Sequence, residues 1–527
     1  MPTDPNGERG DEKPLRSIVI VGGGTAGWLT AGIIAAENPS AGINGVTVSL
    51  IESPNIPIIG VGEGTWPTMR STLERLGISE TDFLRECDAS FKQGANFVNW
   101  STGTPGDHYY HPLVLPEGYL DANLAPSWLE SDAGVPFAST VCAQAAVCDA
   151  DLAPKQITTP EYAAVLNYAY HLDAGKFAPF LQRHCTAKLG VRHIEADVIE
   201  VISADNGDIA AVRTAQHGDI FADLFIDCTG FRSLLLGGHY GVPFKSLAGT
   251  LFVDTAVAVQ VPYETETTPI ASHTISSAQS AGWIWDIGLW TRRGVGHVFS
   301  SAHTSENCAI DELRAYLRPR VTDVDRLDFR RIPIVAGRRE RFWVRNCVAI
   351  GLAAGFLEPL ESSAIVLVEL CAQAIARQLP ANRSAMEILA RRYNRKFDYR
   401  WDRAVDFLKL HYVLSKRRDS DFWTDNRRPE TIPDSLKELL ELWEHQPPWH
   451  CEFDRIDEVF PSASYQYVLY GMGFRTRPGY TVPVSAQPAA TAGLIARNTA
   501  RTAQLVSALP TNRDLLGRIR QYGLQKI

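Results

Sequence analysis

Among its nine cysteines the chain has no C-x-x-C pair, and their odd, scattered arrangement suggests neither a disulfide framework nor a zinc site. A reducing cytoplasm fits that usage, and no metal is expected. An excess of positive charge is also missing: 51 Lys and Arg against 60 Asp and Glu leave a formal net charge of -9. The field that holds nucleic acid or an anionic membrane is therefore absent, and any bound anion must be gripped locally. The first sixteen residues are polar and carry no apolar signal-peptide core, so they read as a flexible tail that implies no export. No apolar run can span a bilayer, since Ser17–Ala36 is broken by glycines and Ala364–Ala376 is too short. Linkers, repeats and low-complexity runs are lacking too, which predicts interleaved domains sharing one core. What remains is a chain of 527 residues, 45% hydrophobic and 21% charged, able to bury a large interior.

Ser17–Val21 (SIVIV) reads as a buried strand. It runs into Gly22, Gly24 and Gly27 in G-x-G-x-x-G spacing, with Thr25 and Ala26 between, and then into the helical pattern WLTAGIIAAEN. Glycine at the first two positions permits a tight turn and lets a pyrophosphate approach the helix N-terminus, where free N–H groups and the helix dipole favour negative charge. A second strand, Val46–Ile51, ends at Glu52, a carboxylate placed for an adenosine ribose. NAD and FAD both satisfy these residues. The strand ends at Ala222–Thr229, with Asp227, and at Val344–Gly355, with Gly351, are further candidates to line the same cofactor. No second G-x-G-x-x-G follows a strand, so electrons are expected from outside the chain.

At this point the chain resembles a flavin-dependent halogenase of the tryptophan-halogenase type. The resemblance rests on Gly22–Gly27 (GGGTAG), Gly60–Thr65 (GVGEGT), Ser90–Trp100 (SFKQGANFVNW), Tyr110 and His111, His171–Phe177 (HLDAGKF), Asp227–Ser233 (DCTGFRS), Trp283–Ile287 (WIWDI), Phe356–Ser363 (FLEPLESS) and His411–Trp423 (HYVLSKRRDSDFW). These segments span most of residues 17–474 in the expected order. The resemblance implies an α/β fold: an FAD-binding Rossmann-like domain of the flavoprotein monooxygenase kind, interleaved with a mostly helical substrate domain. The expected division is a tail at 1–16, an FAD-binding domain at 17–380 with substrate-side insertions at about 88–165, and a helical region at 381–527.

The same resemblance implies a reaction. FAD, supplied as FADH2 by a separate flavin reductase, and O2 oxidise chloride or bromide to hypohalous acid, which crosses an internal tunnel to a lysine and a glutamate beside an aromatic substrate. The lysine carries over to Lys92 and the glutamate to Glu361; Gly62 joins the cofactor residues. An ammonium can polarise hypohalous acid towards an electron-rich ring, and a neutral amine can form a haloamine; burial favours the second route by lowering the pKa. A carboxylate can balance the ammonium and stabilise or deprotonate the cationic ring adduct, and both uses need Glu361 ionised. Without the resemblance, Lys92 reads as a surface lysine and Glu361 as an ordinary helix-start acid.

Ser362 and Ser363 precede an apolar run, Ala364–Leu379, that reads as a buried helix with serine at its N-cap. The N–H groups of Ser363 and Ala364 are expected to face a halide there. The resemblance favours glycine where this chain has Ala364, which leaves the choice between chloride and bromide open. Trp283 and Trp285 alternate as in a half-buried strand, with a turn expected at Thr291–Gly294. By resemblance they wall the flavin off from the substrate, and Gly288 replaces a proline that would stiffen that wall.

On the substrate side the resemblance makes His111 a stacking surface for the substrate ring, with Leu113 where an aromatic partner is expected, so an indole or a phenol becomes as plausible as tryptophan. The aromatic-rich stretch Trp443–Phe474 reads as a substrate lid or as packing. Tyr393, Phe397, Trp401, Ala404, Leu408 and His411 recur at helical spacing, opposite a basic face that includes Arg400 and reads as solvated. An Ala-rich helix is expected at Ala490–Ser507, packing on the substrate domain or on another copy; a homodimer stays open. The resulting expectation is a cytoplasmic halogenase acting on a small electron-rich aromatic, with no nucleic acid or membrane partner. The alternatives are a flavin-dependent aromatic hydroxylase and a non-catalytic FAD-binding protein.

Overall fold

A computed structural model describes residues 14–41, 45–56, 62–131, 134–450, 452, 453, 455, 458–477 and 483–526. The expected tail lies outside the described residues up to 13. It is shorter than expected, however, because Pro14 bridges to Asn382 and Leu15 is buried, its N–H donating to the Ala381 carbonyl.

The run SIVIV forms strand β1, Ser17–Val21, which enters helix α1, Thr25–Glu37, through the glycine turn; strand β2, Thr47–Glu52, follows. β1 sits between β2 and Leu224–Asp227 in a six-stranded sheet whose order continues to Arg192–Glu195 on one side and to Cys347–Ala349 and Trp343–Val344 on the other. All its pairings are parallel except the outermost, Trp343–Val344 with Cys347–Ala349. A parallel sheet covered on both faces needs strands without polar alternation, which is what SIVIV supplies. α1 packs against the Ala174–Lys188 and Ser363–Arg377 helices. This is the expected Rossmann-like α/β layer.

A seven-stranded, mostly antiparallel sheet stands beside it, in the order Arg330–Pro333, Thr255–Pro262, Arg292–Phe299, Gly282–Gly288, Thr274–Ala278, Gly94–Val98, His108–Pro112. Its Gly282–Gly288 and Arg292–Phe299 strands turn at residues 289–291, earlier than expected, because Arg292 and Arg293 are already paired in the ladder. Gly288 is fixed by that ladder, and a Cβ on it would come within 2.7 Å of Ile270 Cγ2, so the strand is held by packing where a proline was missing. A small third sheet joins Gly62–Gly64, Ala169–Asp173 and Ser90–Lys92. Lys92 ends a strand of this sheet, and Gly94 begins a strand of the larger one, so the lysine stands at the seam between them.

The Arg383–Val413 helix buries the predicted apolar face, from Tyr393 to His411. Arg400 departs from the basic face: it is buried, with its guanidinium over the Phe397 ring. The C-terminal helix runs Pro488–Ala508, slightly longer than expected. Beyond it the Asn512–Tyr522 helix returns to the small sheet, where Asn512 Nδ2 donates to the Phe91 carbonyl. The largest cluster of buried apolar side chains extends from Leu15 to Leu524, with two smaller ones within residues 257–324 and 143–509. Among the described residues no helix is long and apolar enough to cross a membrane.

Candidate active site

A cavity of about 540 Å³ opens beneath the glycine turn and continues between the two large sheets. Gly22, Gly24, Thr25, Ala26, Glu52, Gly62 and Gly351 line it, and so do Trp283, Trp285, Lys92, Glu361, Ser363 and Ala364. Residues separated by more than 300 positions in the sequence thus share one enclosure, within the volume range of small-molecule sites.

The glycine end fits a dinucleotide. Gly22 has φ +118°, and a Cβ there would lie 2.2 Å from the Cys228 carbonyl oxygen, so only glycine makes this turn. A Cβ on Gly24, by contrast, would meet nothing within 4 Å: its exposed face is a cradle that a ligand backbone can approach. Gly24 caps α1 without a side-chain hydrogen bond, leaving the helix N-terminus to an anion. The Glu52 carboxylate lies against Gly23, and its Oε2, buried and without a hydrogen bond, is 3.0 Å from His193 Nε2. The open face at Gly24, the uncapped N-terminus of α1 and a carboxylate residue at the end of β2 line one cavity, so the residues present fit FAD.

Two expected cofactor residues do not face the cavity. Gly27 lets α1 pack on the turn, since a Cβ there would lie 1.9 Å from the Gly22 carbonyl oxygen. Asp227 is fully buried and points into the turn that follows its strand. Its carboxylate accepts from Thr229 N and Oγ1, Leu235 N and Leu236 N, so it shapes the loop. Gly60 and Val61 lie outside the described residues.

Lys92 is 3% exposed. Its Nζ donates to Ser362 Oγ at 2.9 Å and to the Thr65 carbonyl at 3.3 Å. Burial pushes the ammonium down to about 8, against the opposing pull of Glu361. Glu361 sits in the left-handed region at φ +64°, followed by Ser362 at φ +55°. Two such residues in succession turn the chain sharply between Leu360 and the Ser363–Arg377 helix. The Trp66 indole N–H pins the turn by donating to the Glu361 carbonyl at 2.8 Å. Ser362 occupies the N-cap position but makes no side-chain cap bond; its hydroxyl is committed to Lys92 instead. The helix therefore begins at Ser363, with Ser363 buried and Ala364 exposed at the cavity.

The Glu361 carboxylate turns towards two imidazoles. His111 Nδ1 lies 2.8 Å from both of its oxygens, and His411 Nε2 lies 3.3 Å from Oε1. Burial would raise the carboxyl pKa, but these neighbours outweigh it and hold the group well below the usual carboxylate range. Behind them His111 Nε2 reaches Ser464 Oγ at 2.9 Å, and His411 Nδ1 reaches Tyr109 Oη at 2.6 Å. His111 and Leu113 are not on the cavity wall. Leu113 is fixed through its backbone, its N–H donating to Gln144 Oε1 at 2.7 Å.

Sequence reasoning missed Ser362 as the partner of Lys92, and His411 and Tyr109 as support for Glu361. His411 had a signal: it is a polar ring on the apolar face of a helix, which demands a buried partner. From the aromatic stretch, Phe460 is fully buried, stacked 3.9 Å from Phe407 and edge-on to Trp66.

Comparison with known proteins agrees with this arrangement. A family profile described as tryptophan halogenase matches residues 17–486. The tryptophan 6-halogenase of Streptomyces albogriseolus is 33% identical over 95% of this chain and 98% of its own length. The tryptophan 7-halogenase of Lentzea aerocolonigenes is 35% identical over 81% of this chain and 82% of its own. The crystal structure of a tryptophan halogenase from Shewanella frigidimarina superposes with a TM-score of 0.95 at 48% identity, covering 98% of this chain and 100% of that one.

Proposed function

The chain belongs to the tryptophan halogenase family of flavin-dependent enzymes, and from that premise we propose that Lys92 and Glu361 direct electrophilic halogenation of an indole ring, free or as tryptophan. The enzyme uses FADH2, halide and O2. Bound FADH2 supplies, with O2 and halide, hypohalous acid; the glycine turn, the α1 N-terminus and Glu52 would hold the dinucleotide.

The observation that carries the assignment is that Lys92, buried, and Glu361 line the same cavity as the glycine cradle. An ammonium has three N–H donors. Ser362 Oγ and the Thr65 carbonyl take two of those on Lys92, leaving the third for the oxygen of hypohalous acid, which makes the halogen electrophilic. As the ring attacks the halogen, the O–X bond breaks and the oxygen leaves as hydroxide stabilised by the same ammonium; the ring then loses its proton, which ends on that hydroxide as water, and aromaticity is restored. Positive charge builds on the ring, and Glu361, held ionised in a site shut off from water, offsets it. Its low proton affinity makes it an electrostatic partner first and a weak base second. The backbone N–H groups of Ser363 and Ala364 begin the Ser363–Arg377 helix beside the cavity, which supports that helix N-terminus as the halide site. Trp283 and Trp285 keep the ring from the flavin, so the ring meets oxidised halogen instead.

A reductase-coupled assay with chloride and bromide over tryptophan, indole and phenols tests this. Halogenated product, identified by its isotope pattern and lost in Lys92→Ala and Glu361→Gln, is the expected result. A product that gains oxygen alone, formed without halide, would make the enzyme a hydroxylase.

A further inference from the structure

We infer that His111 is a positioning residue that holds the Glu361 carboxylate in place and aimed. This rests on the proposed role of Glu361. Both nitrogens of His111 are spent. Nδ1 lies 2.8 Å from Oε1 and from Oε2, a single N–H centred on the carboxylate, and Nε2 lies 2.9 Å from the Ser464 hydroxyl. A lone pair facing a carboxylate at that distance would repel it, so Nδ1 carries a proton towards Glu361, and Nε2 makes its own hydrogen bond with Ser464. The ring cannot rotate without breaking two hydrogen bonds. It is 5% exposed, packed beside Phe407 at 5.5 Å and Tyr467 at 6.3 Å, and it does not line the cavity.

The backbone is bent to make this contact. Glu361 adopts φ +64°, uncommon for a residue with a Cβ, and the Trp66 indole holds its carbonyl. His411 does not replace His111: its Nε2 lies 3.3 Å from one carboxylate oxygen only, and burial lowers its pKa. The other groups at the site are Lys92, which pulls the carboxylate the same way, and Tyr109, which is committed to His411.

Three variants separate the two roles. His111→Phe keeps a flat aromatic face and loses the N–H. His111→Asn keeps an N–H near the position of Nδ1 and loses the face. His111→Ala loses both. A positioning residue predicts that kcat falls on the order of 10²-fold in the Phe and Ala variants with little change in KM, and that Asn restores most of it. A stacking residue predicts the reverse: Phe near wild type, Asn with a raised KM. Infrared pH titration of the Glu361 carboxyl, assigned by its loss in Glu361→Gln, reads the same point without turnover. The carboxyl band should appear at a pH higher by about one unit or more in the Phe variant and stay at the wild-type position in Asn. An unmoved titration in Phe and Ala overturns the inference even if the enzyme halogenates; wild-type failure to halogenate overturns the functional reading but leaves the titration to decide on His111. Thermal melting and FAD binding establish that each variant folds. If Phe does not fold, the comparison of Asn with Ala decides, and equal loss in both counts against the inference.

Discussion

Ser362 Oγ accepts a hydrogen bond from Lys92 Nζ at 2.9 Å, joining a strand end of the small sheet to the first residue before the Ser363–Arg377 helix. That bond links the two proposed reactive groups through the backbone, because Ser362 is the immediate neighbour of Glu361. The amine and the carboxylate are therefore held by one turn of chain, and the turn is in the left-handed region at both residues.

Removing the hydroxyl separates activity from stability. Ser362→Gly relieves a left-handed non-glycine position, worth about 1 kcal/mol, while freeing the lysine. Melting should occur no lower than in wild type while kcat falls about tenfold. Ser362→Ala should lose the same activity without the stabilisation. Equal melting shifts in both would contradict the strain argument.

The pH dependence follows from Lys92, whose ammonium is lowered from 10.5 to about 8. If the protonated amine delivers halogen, kcat falls as pH rises through about 8. In Glu361→Gln the residual rate should break at lower pH, since the carboxylate is what holds the lysine up. For stability the sign is opposite to that of a paired lysine. Between about 8 and 10.5 the unfolded chain binds more protons, so stability rises with pH, and the cost of burying the charge is fully present below about 8. A shift of this size corresponds to about 3 kcal/mol, so Lys92→Met should be more stable than wild type at pH 7 and the gap should close towards pH 10.5. Denaturant titrations at several pH values check this.

Glu361→Gln keeps the shape of the side chain and removes its charge. Ring halogenation should fall by about 10³-fold or more, as for loss of a preorganised stabilising group. FAD affinity, measured by flavin fluorescence, should change less than twofold. A joint loss of both would make the residue structural.

The two glycines of the cradle should respond differently to alanine. Gly22→Ala puts a Cβ 2.2 Å from the Cys228 carbonyl oxygen at a positive φ and should fold poorly or melt well below wild type. Gly24→Ala meets no protein atom, and its φ of -72° suits any residue, so it should fold normally and lose FAD affinity about tenfold or more. Unchanged FAD affinity in Gly24→Ala would remove the cofactor from that end of the cavity.

The contrast between these residues also marks what the sequence could reveal. The SIVIV strand, the glycine spacing and the Ala-rich helix after it specify local structure at short range, so β1, α1 and the acceptor at Glu52 were legible. Lys92 and Glu361 were reachable only through a resemblance, because no local rule brings positions 92 and 361 together. The orientation of Asp227 was not legible, because a carboxylate at a strand end reads the same whether or not it collects backbone N–H groups, as it does here from Leu235 and Leu236. His111 was legible as a site residue but not in its orientation, which depends on Ser464 and on the backbone turn at Glu361, 250 residues away.

The central claim is that oxidised halogen made beside the glycine cradle reaches the ring only through Lys92. The most direct measurement follows bromide-dependent FADH2 turnover by Lys92→Ala with tryptophan or indole present, together with a diffusible nucleophile that captures free hypobromous acid. The account predicts that FADH2 is consumed at the wild-type rate and the scavenger is brominated while the indole ring is not. Bromination of the ring at the wild-type rate in that variant would contradict it.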